Sequence, residues 1–479
     1  MASAFDEWRA VLGERATTNT QPYTANLTEF ANRELVAVLR PVSRHEVRQV
    51  VTVAARYRIP LHPISTGRNW GLGSKLPVHD GCAVVDLSLM NRILEINEEL
   101  HYAIVEPGVT QGQLAEALTH RSCMLNITGS GEQTSVVGNV LERGVGIFGQ
   151  RTADLRGLEA VLADAEYVRT GHWANDDNDA PDWHHYPHGS GPDVTGLFVQ
   201  SGFGIVTAAV VSLYPRQNVA LALVRSTRGE LASHVDILAE LRRYQLLRDR
   251  IEINGEDDPR LARLDRTASP NTWLSWVALW GDDDIIALLQ KKLSTHFDEV
   301  DYYTTADPDL PDAARTRFRK LSGEPGNEYV DAMAGRSVDM SSDFALDDDP
   351  EFPGFVCALP AVPFVGRHVN TAIAIARATD ANTGIRSYLT FNSVSAHCLE
   401  GFFRVPFDRT DAIEVDAAHQ WVALAQKRLV EAGFRPMRTG IDTMHYSSGH
   451  QRMALSLKKA VDPYGLISPG RYLPLDEQT

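Results

Sequence analysis

The residues best suited to chemistry lie in one short stretch, His62-Pro63-Ile64-Ser65-Thr66-Gly67-Arg68-Asn69-Trp70-Gly71-Leu72-Gly73. An apolar β-type segment runs there into a loop carrying Gly67, Gly71 and Gly73. Glycine tolerates positive φ and carries no Cβ, so such a loop can turn several backbone N–H groups toward one point. With Arg68 beside them, those donors would cradle a pyrophosphate. The stretch is not a P-loop, because no Gly-Lys-Ser/Thr ends it, and its glycine spacing is not that of the dinucleotide fingerprint. A plain glycine-rich surface turn is the alternative for this loop taken alone.

Further glycine clusters follow in the first half of the chain. Pro107-Gly108-Val109-Thr110 is one, and Gly129-Ser130-Gly131 to Gly138-Asn139 and Arg143-Gly144-Val145-Gly146 form another. Gly202-Phe203-Gly204-Ile205-Val206-Thr207 is a third. Short β segments set these turns: Leu35 to Leu39, Ile59 to Ile64, Ala83 to Leu87, Tyr102 to Glu106 and Leu158 to Ala163. Ser43 with Glu46 three residues on matches a capping box and opens an amphipathic helix to Tyr57. A short helix is expected near Asp6 to Leu12. Helices recurring between short strands predict an α+β protein with a mixed sheet. After Pro215 the glycine clusters stop. Strands such as Val219–Val224 and Trp273–Leu279 then alternate with helices such as 231–247, which reads as a separate domain. An acidic loop spans 343–349, and a terminal helix stops near Asp462-Pro463.

Composition bounds the function. A chain of 479 residues is expected to hold two or three domains. The formal net charge of −16 disfavours nucleic-acid and membrane-surface partners. No apolar run reaches membrane-span length, and the N-terminal residues lack the pattern of a signal peptide. Cys82, Cys123, Cys357 and Cys398 are scattered, which fits a reducing, cytoplasmic setting without a disulfide framework or zinc site. His172, His184, His185 and His188 lack the helical spacing of metal ligands, so a solvated loop is expected and no metal is assigned.

Five motifs stand in the order and spacing of a known family: 63–69, 105–110, 137–146, 204–207 and Asp462-Pro463 with Pro469-Gly470-Arg471. Taken together they resemble the vanillyl-alcohol oxidase and p-cresol methylhydroxylase family of FAD-linked oxidases. The resemblance implies a two-domain fold. An FAD-binding domain of two α/β subdomains comprises 1–215 with 440–479, and an antiparallel-sheet cap comprises 216–439. It implies one FAD, held by Pro63, Ile64, Ser65, Thr66, Gly67, Arg68, Asn69, Gly71 and Leu72, then by Pro107, Gly108 and Val109. Gly129, Ser130, Thr134, Ser135, Gly138, Asn139, Glu142, Arg143, Gly144 and Gly146 continue the site, with Gly204, Ile205, Val206 and Arg471. Flavin would carry the redox chemistry.

Departures from the family pattern bear on the substrate. Phenol oxidases of this family bind a phenolate with two tyrosines and an arginine. Those tyrosine positions are Leu72 and Met437 here, and only Arg438 remains. Two charge-assisted hydrogen bonds are thereby lost, so simple 4-alkylphenols are expected to be poor substrates. A lone arginine facing an apolar pocket suits a carboxylate, with a structural salt bridge as the alternative. The resemblance places Gln150 where the family has an aspartate near flavin N5. Arg438, Gln150, Glu400 and Tyr446 are the candidate catalytic residues, and Leu72, Met437, Arg438, Asn392 and His397 the candidate substrate residues. The covalent attachment position of relatives aligns with Leu399 or Glu400, and Asn69 stands where a first-loop histidine would be. Non-covalent FAD is therefore expected, with His397 the first candidate should it be covalent. The leading function is hydride removal from an activated, benzylic or similar carbon, with O₂ as acceptor. The alternatives are oxidative decarboxylation of an aryl or peptidyl acid in natural-product tailoring, and a non-catalytic flavin-binding protein. A homodimer is left open.

Overall fold

The computed structural model describes residues 3–173, 184–255, 272–338, 346–444 and 449–473. The first sheet has four strands, ordered Ala16–Thr17, Leu35–Leu39, Cys82–Asp86, Leu61–Ile64. The last three run parallel. Cys82–Asp86 is buried along its whole length, as expected of a central parallel strand covered on both faces. Ser43 caps the helix Arg44–Tyr57 by accepting from the Glu46 N–H, and Val47, Val50, Val51, Val53 and Ala54 face the core. The capping box is one-sided: the Glu46 carboxylate turns to Arg15 and to the Val42 N–H instead. A second, antiparallel sheet orders Tyr167–Arg169, Leu155–Val161, Ile205–Ser212, Tyr102–Val105 and Ile93–Asn97.

A third sheet has eight antiparallel strands, all between residues 219 and 438. Their order is Val300–Tyr303, Val219–Thr227, Thr272–Trp280, Glu252–Asn254, Tyr388–Ser393, Cys398–Phe407, Gly354–Pro363, Pro436–Arg438. Side chains alternate between its faces. Ile253, Leu389, Phe391, Leu399 and Phe403 enter the apolar core beneath helices Leu231–Arg243, Gly366–Thr383 and Ala412–Glu431. Glu252, Asn254, Thr390, Asn392, Glu400 and Phe402 are thereby left on the opposite face.

Two contacts tie later parts of the chain to the first loop region. Asp462 accepts from the N–H groups of Leu466 and Ile467 and from Lys458, and the turn it shapes lays Ile467 beside Leu61. Lys75, just beyond the glycine loop, pairs with Asp347 at 2.6 Å, both fully buried, and Ser74 bonds the same carboxylate. Part of the acidic stretch 343–349 is thus an internal anchor. His184, expected on a solvated loop, is instead buried between Tyr102 and Trp173.

Candidate active site

Two adjoining cavities lie between the glycine loops and the eight-stranded sheet. The first is lined by His62 to Asn69, Pro107, Thr134, Ser135, Val137 to Asn139, Glu142, Gly204, Val206 and, from the returning tail, Ser468 and Arg471. The second, of about 220 Å³, is lined by Leu72, Thr128 to Ser130, Gly144 and the open face of the sheet. Arg68, Asn139 and Arg438 line both.

Close approach explains the glycines of the first cavity. A Cβ on Gly138 would fall 2.3 Å from Ser65 Oγ, and Gly67 has φ +68°. Gly108, just behind the wall at Pro107, serves loop packing, since a Cβ there would meet the carbonyls of Leu87, Ser88 and Met90. Arg471 pairs with Glu142 at 2.7 Å, which also accepts from Tyr472, so the tail closes one wall. His62 is buried, and burial together with nearby Arg471 pushes its pKa down to about 3, leaving a neutral imidazole. The Asn139 side-chain oxygen and Arg438 Nε are buried without a partner among the described residues. A groove of close backbone approach with unmet polar atoms and paired cations at its rim suits a long, phosphorylated ligand.

The second cavity takes its floor from sheet register. Glu252 stands opposite Asn392, and Asn392 opposite Glu400, so these three form one row. Asn254, Thr390 and Phe402 form the next, and Leu359 stands opposite Arg438. Leu72 packs with Cys357, Leu359 and Phe402 into an apolar wall. Arg438 donates to Asn69 at 2.7 Å. Glu400 accepts from Asn392 at 3.3 Å, and burial raises its carboxyl pKa against the opposing pull of Arg438. Burial alone would raise Glu252 too, but Arg317 and Arg250 overcome it and hold that carboxyl well below the usual range.

Residues 36–171 match the FAD binding domain family. The chain is 29% identical to 1'-carboxy-chondrochloren decarboxylase of Chondromyces crocatus, over 98% of this chain and 96% of that protein. It is 25% identical to the flavoprotein subunit of 4-cresol dehydrogenase (hydroxylating) of Pseudomonas putida, over 98% and 94%. The fold superposes on p-cresol methylhydroxylase with substrate bound at a TM-score of 0.87 and 23% identity, covering 99% of this chain and 97% of that one. The chain thus resembles the vanillyl-alcohol oxidase and p-cresol methylhydroxylase family across nearly its whole length. It is an FAD-dependent oxidoreductase with the two-domain FAD-linked oxidase fold of that family.

Of the residues expected to hold FAD, Pro63 to Asn69, Pro107, Thr134, Ser135, Gly138, Asn139, Glu142, Gly204, Val206 and Arg471 line the first cavity. Leu72, Gly129, Ser130 and Gly144 line the second instead. Gly71 lines neither: its positive φ places it against Phe355 and Cys357, so it serves the packing of loop on sheet. Gly108, Val109, Arg143, Gly146 and Ile205 also stay behind the walls. Of the expected catalytic and substrate residues, Arg438, Glu400, Asn392 and Leu72 meet in the second cavity.

Three expectations are corrected. Met437 precedes Arg438 on one strand, so the pleat directs it to the other face, and it does not line the cavity. His397 sits exposed in the turn before Cys398–Phe407, outside both cavities. Gln150 lies in a small hairpin opposite Val145, and Val145 rather than Gln150 reaches the wall. Tyr446 lies outside the described residues. The sequence reading missed Arg250, Glu252, Asn254, Thr390 and Tyr329, which line the second cavity. Alternation around Ile253, Phe391 and Leu399 was the available signal, but without strand register it could not bring them together. Among the described residues no helix is long and apolar enough to cross a membrane, and no acidic, histidine or cysteine cluster could hold a metal.

Proposed function

We propose that this flavoenzyme oxidatively decarboxylates an organic acid, with Arg438 holding the carboxylate that is lost. The observation that carries the reading is the combination at the cavity junction. Arg438 offers a buried Nε unpaired among the described residues, while Leu72 lies in an apolar wall and Met437 lines neither cavity. A phenolate at Arg438 would find no tyrosine hydroxyl at positions 72 and 437, whereas a planar carboxylate matches a guanidinium fork. The similarity to a decarboxylase across nearly the whole chain supports the same choice.

FAD, when bound in the first cavity, supplies a two-electron acceptor. Overall, a hydride leaves the carbon β to the carboxylate and the bond to the carboxylate breaks. Its electron pair becomes the new C=C bond, and CO₂ departs. Arg438 orients the carboxylate, and Asn69 fixes the guanidinium through its 2.7 Å hydrogen bond. The wall of Leu72, Cys357, Leu359 and Phe402 excludes water from the reacting carbons. O₂ is the proposed final acceptor. Residues 1–215 with the tail would form the FAD-binding domain and 216–439 the substrate cap. The flavin is proposed to be non-covalent, since His397 is exposed and lines neither cavity.

A second reading has its own observation. Glu400 is a buried carboxyl with a raised pKa on the cavity floor, suited to accept the hydroxyl proton of an activated alcohol as hydride leaves its carbon. Product mass separates the two: loss of CO₂ plus two hydrogens against loss of two hydrogens alone.

A further inference from the structure

Behind the second cavity lies a small chamber of about 40 Å³, sharing Arg250, Glu252 and Tyr329 with it. Lys320 lines this chamber, is 3% exposed, and its ammonium has no hydrogen-bond or ion-pair partner among the described residues. It rests 3.7 Å above the Tyr329 ring. Gly129 opens a window in front of it: a Cβ there would stand 3.9 Å from Lys320 Nζ and 3.5 Å from the Tyr329 ring. Charge around the chamber is unbalanced. Arg250 at 2.8 Å and Arg317 at 2.6 Å both pair with Glu252, which leaves Lys320 as a third cation around one carboxylate. Glu328, the next carboxylate, gives one oxygen to Arg319, and at Asp249 burial outweighs Arg242 and Arg248 and raises the pKa to about 7; neither carboxylate comes within hydrogen-bond distance of Lys320. A buried cation without an acceptor is costly unless a ligand supplies one.

We propose that Lys320 and Arg250, reached past Gly129, form a second anion subsite that receives a carboxylate at the far end of the substrate. The inference rests on the acid-substrate reading: Arg438 takes the carboxylate that is lost, and this subsite takes another that is kept. The space admits one compact oxyanion head and no bulkier group. Burial pushes the Lys320 pKa down to about 7, and an arriving carboxylate would hold its proton in place.

The test uses FAD-loaded protein and acids without an abstractable hydrogen β to the carboxylate: benzoate, terephthalate and biphenyl-4,4′-dicarboxylate. Their Kd values are read from flavin absorbance and tryptophan fluorescence. At least one diacid should bind tenfold or more tighter than benzoate. That ratio should collapse toward one in Lys320→Met and survive in Lys320→Arg. If Lys320→Met fails to fold, Gly129→Val serves, since its larger side chain blocks the window at a position of ordinary φ, and it should lower the ratio likewise. No diacid preference in the wild type, or a preference untouched by these changes, overturns the subsite. If the ratio behaves but no acid loses CO₂ on turnover, the subsite stands and the decarboxylation falls. If monoacids lose CO₂ with a ratio near one, the decarboxylation stands and the subsite falls.

Discussion

Replacing Arg438 is the most informative perturbation, because this side chain joins the two cavities. Its Nη2 bonds Asn69 at 2.7 Å and its Nε lacks a partner among the described residues, so a bound carboxylate would complete a desolvated charge pair. Truncating one partner of such a pair costs about 2–5 kcal/mol, or about 30-fold to several thousand-fold. Arg438→Ala should therefore lose that much in the ratio of anaerobic flavin reduction rate to Kd for carboxylic acids. Arg438→Lys should recover only part, because an ammonium keeps the charge and lacks the planar fork. Arg438 also lines the cofactor cavity, so flavin content must be measured in each variant and rates expressed per bound FAD. Stopped-flow bleaching of the flavin under anaerobic conditions is the assay. Wild-type rates and affinities in Arg438→Ala, at full flavin content, would show the arginine to be structural and remove the anchor of the decarboxylation reading.

Gly138→Val should yield protein without yellow colour, since even a Cβ there lies 2.3 Å from Ser65 Oγ; retention of stoichiometric FAD would contradict the cradle. Acid precipitation should release the flavin to the supernatant, and colour remaining with the pellet would refute non-covalent binding. His62 is neutral in the fold, with a pKa near 3 against 6.5 unfolded, so the unfolded chain takes up a proton that the folded one refuses. Stability from this residue is therefore whole above pH 6.5 and falls by about 1.4 kcal/mol per pH unit below it, until pH nears 3. His62→Gln should flatten the acid limb of a urea-denaturation series from pH 6.5 to 4.5, and an unchanged slope would contradict the burial argument.

The cofactor half was legible because its constraint is local. Backbone can approach a ligand or another loop closely only where Cβ is missing, so Gly67 and Gly138 mark the walls without any knowledge of tertiary structure. Even so, close approach does not name the neighbour. Gly71 makes room for Phe355 and Cys357, and Gly129 opens toward Lys320. The substrate half was mostly illegible because its residues come from strands far apart in sequence. Glu252, Asn392 and Glu400 share a row only after three strands pair in one register. A one-residue step decides which neighbour serves: Arg438 enters and Met437 turns away, while Glu400 enters and Leu399 joins the core.

In the proposed reaction, electrons pass to bound flavin from a carboxylic acid held at Arg438. The most direct test is an anaerobic screen of the FAD-loaded protein against arylalkyl and peptidyl acids, phenolic alcohols and 4-alkylphenols, with flavin absorbance and product mass recorded together. Carboxylic acids should bleach the flavin fastest and give products lighter by CO₂ and two hydrogens. Faster bleaching by vanillyl alcohol or a 4-alkylphenol, with products that keep every carbon, would contradict it.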